Sequence, residues 1–154
     1  MIKIINEDFN LEEEFSKISS KKNGAYSFFL GTVREDIIKN KEKIDGIFLE
    51  CYQELAYKQL AKICNQAIQQ WQLTECNIIH RIGSLGLGEK IVLVITSSKH
   101  RANSISACEY VIDSLKANVA FWKFNIFSEN QEAVEFKKKD LDKFLQWSNI
   151  VKTN

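Results

Sequence analysis

Between Glu54 and Leu73 the apolar residues recur every three or four positions. Ala56, Leu60, Ile63, Cys64, Ala67 and Trp71 therefore fall on one face, the signature of an amphipathic helix packed on a core. A second helix is predicted over Arg101–Lys116, with Ile105, Cys108, Ile112 and Leu115 turned inward and Ser97 or Ser98 as its cap. Around these two lie segments rich in aromatic and β-branched residues, which read as strands: Ala25–Val33, Gly46–Gln53, Cys76–Gly83, Lys90–Ser97, Val119–Phe127 and a short Glu132–Phe136. Leu11–Ser20 and Asp140–Trp147 read as shorter helices. The charged stretch Arg34–Asp45 reads as a mobile loop across which its flanking strands pair as a hairpin, and Ser84–Glu89 as a tight turn. Hairpin-like pairs are as common here as strand–helix–strand crossovers. The expected class is α+β with a mixed or antiparallel sheet, not a doubly wound parallel one.

At 154 residues the chain is one domain's worth. Its 21 Lys plus Arg nearly balance 20 Asp plus Glu, a net charge of +1 that argues against a bulk nucleic-acid binder. Any anion site must be a local cluster of cations. No apolar run approaches the roughly 20 residues that span a bilayer, and the first fifteen residues carry acids where a secretory signal has its apolar stretch. A cytoplasmic protein without a membrane partner is expected. Cys51, Cys64, Cys76 and Cys108 are scattered, with no CxxC spacing, so they read as buried thiols and not as a metal site or disulfide frame.

Four places can carry chemistry. Gly31–Asp36 sets Arg34 just past a strand end, where a guanidinium fork suits phosphate or is simply solvated. His80 and Arg81 lie in an apolar strand, so one of the two points inward or toward a neighbouring chain. Lys116 falls on the last turn of the second helix, and Lys123 sits among Phe121, Trp122 and Phe124. Lys116 either complements the helix dipole or acts chemically. Lys123 either snorkels or is desolvated into an acid, base or nucleophile. His100 and Arg101, at the start of that helix, read as structural.

Taken in order, GTVRED, IIHRIGSLGLGE, SSKHRANSISACEYVIDSLK and VAFWK resemble the MoaE family, the large subunits of molybdopterin synthase. The resemblance is strongest over 24–136, leaving 137–154 as a C-terminal helix and tail of a single domain. It implies an α/β-hammerhead-like α+β fold with two main helices and a small additional β subdomain. It also implies a homodimer in which each protomer binds a small ubiquitin-like sulfur carrier, making a heterotetramer. The carrier's C-terminal Gly-Gly thiocarboxylate delivers sulfur to cyclic pyranopterin monophosphate in two transfers, forming the dithiolene of molybdopterin. Neither metal nor cofactor is implied.

Carried onto this chain, the resemblance makes Lys116 and Lys123 catalytic. Thr32, Val33, Arg34, His80, Arg81, Phe124 and Asn125 join them in binding substrate, with His80 and Arg81 reaching in from the neighbouring protomer. Phe29 lines the channel for the carrier tail, and Lys137 is a further anion contact. Phe124 and Asn125 stand where the family usually has a basic residue and Glu, and Lys137 where Arg is common. The other function class is a catalytically silent partner of a ubiquitin-like carrier.

Overall fold

The computed structural model describes residues 1–37, 43–128, 130–134 and 138–151. Its strands are β1 (Ile2–Ile5), β2 (Ala25–Thr32), β3 (Gly46–Cys51), β4 (Glu75–Arg81), β5 (Gly83–Gly86), β6 (Lys90–Ser98), β7 (Phe121–Ile126) and β8 (Gln131–Ala133). Its helices are α1 (Leu11–Ser16), α2 (Gln53–Trp71), α3 (Arg101–Asn118) and α4 (Lys138–Leu145), the last running into a 3-10 turn at Gln146–Asn149.

Two four-stranded sheets form, in the orders β1-β4-β6-β2 and β5-β3-β7-β8. The first is mixed, because β1 runs parallel to β4 while β4, β6 and β2 are antiparallel. The second is antiparallel throughout. The α+β expectation holds, with β1 an addition that the sequence reading did not identify.

All six residues assigned to the inward face of α2 are buried. The helix ends at Gln72, whose φ of 51° is left-handed, a C-terminal cap geometry. With α3 it covers one face of the first sheet around Leu60, Ile78, Val94 and Val111. The opposite face carries Phe9, Ile18, Ile79, Leu93 and Ile95. The second sheet has its own cluster of Val33, Ile44, Ile47, Leu49, Leu85 and Phe127.

The expected hairpin between Ala25–Val33 and Gly46–Gln53 does not form. β2 pairs with β6, whereas β3 pairs with β5 and β7 in the other sheet. Sequence proximity loses to burial here: Ile47 and Leu49 are covered only beside Leu85 and Phe127. Gly46 makes that register possible, since a Cβ there would collide with the carbonyl of Leu85. For the same reason the Gly-rich turn is largely a strand. Leu85, 1% exposed, pairs with Ile47, and only the segment around Gly88 (φ +80°) turns.

Other boundaries shift. Ser97 and Ser98 belong to β6, so α3 begins after His100 without a side-chain cap. Ile105, expected inward, is exposed, because α3 packs on α2, the first sheet and α4 and so buries a broad face elsewhere. α4 starts two residues before its predicted first residue. Trp147 then docks edge-on against Trp71 and Tyr110 and donates Nε1 to Asp113 Oδ2 at 3.0 Å. The Arg34–Asp45 and Glu132–Phe136 readings, and Lys137, lie partly or wholly outside the described residues.

Candidate active site

β4 alternates its side chains between the two faces of the first sheet, so His80 and Arg81 part company. His80 faces the side of α2 and α3, 4% exposed, and stacks on Phe121 with ring centroids 3.8 Å apart and planes 9° off parallel. Its Nδ1 lies 2.8 Å from the Arg81 carbonyl oxygen. A carbonyl only accepts, so Nδ1 carries the proton and Nε2 is left as an acceptor. Burial pushes the imidazole pKa down to about 4, which keeps the ring neutral at physiological pH. His80 can orient a ligand by hydrogen bonding but does not supply positive charge to an anion.

Arg81 goes to the opposite face, where its own chain takes up its donors. Nε and Nη2 donate to the Asn6 carbonyl at 3.3 and 3.2 Å, and Nη1 to that of Lys90 at 3.0 Å. The Asp8 and Glu89 carboxylates stand 3.8 and 3.9 Å away. The expectation that His80 and Arg81 reach a neighbouring protomer's pocket does not match this placement: both are buried within their own chain. The other His-Arg pair, His100 and Arg101, is exposed. It lies fifteen helical residues, about 22 Å, from Lys116 on α3.

Three adjoining clefts meet at two lysines. The first, about 630 Å³, lies between β2 and α3 and is walled by Phe28, Phe29, Ile105 and Ile112, with Lys116 among its lining residues. The second, about 620 Å³, holds His80, Lys116, Phe121, Trp122, Lys123, Phe124 and Asp140. The third, about 150 Å³, brings Thr32, Val33 and Arg34 together with Lys123. Lys116 thus belongs to the first and second clefts, and Lys123 to the second and third.

Lys116 is exposed at the last turn of α3 directly after buried Leu115, where the unpaired carbonyls favour a cation. Lys123 is also exposed, which favours the snorkelling reading over the desolvated one. Phe121, Trp122 and Phe124 line the second cleft with it but do not cover it. Arg34 is exposed and pairs with Asp36 at 3.4 Å.

Of the predicted residues, the clefts gather Phe29, Thr32, Val33, Arg34, His80, Lys116, Lys123 and Phe124. Arg81 and Asn125 line none of them. Asn125 instead sits in β7 between Ile47 and Glu132 on the flanking strands. Asp140 was missed, and no local signal marks it, because tertiary docking of α4 brings it to the second cleft. Among the described residues no group of three or more His, Cys, Asp or Glu is placed to hold a metal ion.

The MoaE protein family matches residues 4–118. The chain belongs to the MoaE family. A molybdopterin synthase catalytic subunit from Pyrococcus abyssi is 36% identical over 129 residues, covering 84% of this chain and 86% of that one. A molybdopterin synthase crystal structure from Staphylococcus aureus superposes with a TM-score of 0.80 at 31% identity, covering 86% of this chain and 96% of its own. The fold also recurs, at 22% identity and a TM-score of 0.74 over 87% of this chain and 90% of that one, in a complex of subunits 1 and 2 of molybdopterin-converting factor from Helicobacter pylori.

Proposed function

We propose that this MoaE-family chain transfers sulfur from the C-terminal thiocarboxylate of a small ubiquitin-like carrier to cyclic pyranopterin monophosphate, with Lys116 at the point of transfer. The chain is an enzyme of molybdenum-cofactor biosynthesis, the catalytic subunit of a molybdopterin synthase. The observation that carries the finer reading is that Lys116 lines both large clefts. The first, with Phe29 in its apolar wall, suits an extended peptide tail. The second, where Lys116 and Lys123 stand beside the His80–Phe121 stack, suits an anionic pterin.

The residue chemistry supports this division. A thiocarboxylate and a cyclic phosphate are both anions, and cations placed in advance stabilise charge as it moves during transfer. The ammonium groups of Lys116 and Lys123 neutralise the incoming sulfur and the departing oxygen and can donate a proton to it. Arg34, beside Lys123 in the third cleft, offers forked donors to the phosphate. Neutral His80 orients through Nε2, and Lys137 adds a further cation from beyond the described residues.

The chain acts as a single domain within a homodimer, each protomer carrying one carrier subunit, in the cytoplasm. The two-subunit Helicobacter pylori complex supports the carrier subunit, and the unpaired thiols of all four cysteines support the compartment. No helix among the described residues is long and apolar enough to cross a membrane. If a His-Arg pair acts across the dimer, exposed His100 and Arg101 meet the requirement of accessibility that Arg81 does not.

Mixing the protein with thiocarboxylated carrier and cyclic pyranopterin monophosphate tests the reading. Dithiolene product, formed about 10²–10³-fold more slowly by Lys116→Ala, is the expected result. Carrier binding without any product identifies the silent partner instead.

A further inference from the structure

The four cysteines are spread through the sequence, yet the fold brings two of them into contact. Cys64 lies on the buried face of α2 and Cys76 in β4, and the Cys76 thiol donates to Cys64 Sγ at 3.3 Å. Both are unpaired thiols, 5% and 2% exposed, within the main core. A disulfide needs about 2.05 Å between sulfurs, so from 3.3 Å the two must approach by roughly 1.3 Å.

We propose that Cys64 and Cys76 form a two-electron redox site, oxidised by hydrogen peroxide to a disulfide that ties α2 to β4. The Cys64 thiolate attacks one peroxide oxygen, the O–O bond breaks, and the hydroxide released takes up a proton to become water. The resulting Cys64 sulfenic acid is attacked by the Cys76 sulfur. The S–S bond forms as the S–O bond breaks, and the Cys76 proton leaves with that oxygen as a second water. In sum, two thiols and one peroxide give one disulfide and two waters, with sulfur oxidised and peroxide reduced.

The roles follow from the contact. Accepting the Cys76 hydrogen bond lowers the Cys64 pKa, whereas donation to Cys64 together with burial raises that of Cys76. Cys64 is the attacking thiol and Cys76 the resolving one. Cys108 is held protonated, its pKa pushed up to about 11 chiefly by burial. Cys51 belongs to β3 in the other sheet. Because peroxide must reach a buried thiol, oxidation proceeds through local opening of the core and is slow.

The test treats the purified full-length chain with hydrogen peroxide, then counts thiols after denaturation and maps peptides without reduction. The expected result is loss of two titratable thiols of four, one cross-linked peptide pair containing Cys64 and Cys76, and full reversal by dithiothreitol. The oxidised form should melt about 5–10 °C higher, because the bond closes a short loop in the unfolded chain. A Cys51→Ala, Cys108→Ala double variant keeps the pair and must oxidise in the same way. Four remaining thiols, oxygen adducts in place of the cross-link, a bond to Cys51 or Cys108, or an unchanged melting temperature overturns the proposal.

Discussion

Two clusters of cations, built from similar residues, meet opposite fates. Around Arg81 and Lys90 the chain's own carbonyls and carboxylates supply the partners: the Asn6 and Lys90 carbonyls for Arg81, the Phe9 carbonyl and Asp8 for Lys90. This region fastens the segment after β1 to the first sheet. Around Lys116 and Lys123 the charges are exposed and line open clefts. The difference is one of solvation. A buried guanidinium without partners is too costly to keep, so burial demands saturation, whereas an exposed cation such as Lys116 can exchange water for a ligand.

The largest expected effect separates the two clusters directly. Lys116→Ala should cost about 10²–10³-fold in dithiolene formation, the scale of one lost charge-stabilising donor, with the urea midpoint nearly unchanged. Near-normal single-turnover rates with saturating carrier would remove Lys116 from the chemistry. Arg81→Ala should reverse the pattern, losing about 3 kcal/mol of stability because the part-buried Asn6 and Lys90 carbonyls lose their donor and the buried side chain leaves a gap. Equilibrium urea unfolding measures this, and an unchanged midpoint would show that the clamp is dispensable.

His80 sharpens the contrast through pH. Its pKa in the folded chain is about 4, against about 6.5 when unfolded, so below pH 6.5 the unfolded state binds more protons. Its contribution is fully present above pH 6.5 and is lost as pH falls through 4, by about 3 kcal/mol in all. His80→Phe, which can keep the stack on Phe121, should flatten stability over that window. Equal slopes in both proteins would mean that the imidazole is not buried neutral.

A mixing experiment asks which His-Arg pair crosses between chains. Arg101→Ala combined with Lys116→Ala should regain about half the activity of a wild-type dimer after subunit exchange, since one of the two sites is then intact. Failure to recover, with exchange verified, would confine Arg101 to a structural role. The smallest effect belongs to Trp147→Phe, which removes the hydrogen bond to Asp113 and should lower stability by about 1 kcal/mol, read from thermal melting.

Local periodicity carried the parts of the fold that depend on one element alone. The α2 face was legible to the residue because a helix on a flat core exposes one stripe and buries another. The β2–β3 pairing was not legible, since both strands are apolar enough to pair and only the distant Leu85 and Phe127 decide where β3 goes. The place of Lys116 in the last turn of α3 was readable from the helical periodicity before it. For Lys123 composition left snorkelling and desolvation equally open, because a window of residues does not say how much solvent reaches each side chain; its exposure decides for the first. Asp140 left no trace, as its place depends on how α4 docks.

Lys116 as a wall common to two clefts has a thermodynamic consequence. A ligand in one cleft that draws its ammonium aside, or pairs with it, changes what the other cleft offers. Linkage then requires the reciprocal: whatever factor the first ligand imposes on the second's affinity, the second imposes on the first. Two anions sharing one cation attract it in competition and repel each other. The complex with both clefts filled before transfer should therefore bind less tightly than the two separate affinities imply, and discharge of either anion relieves the conflict.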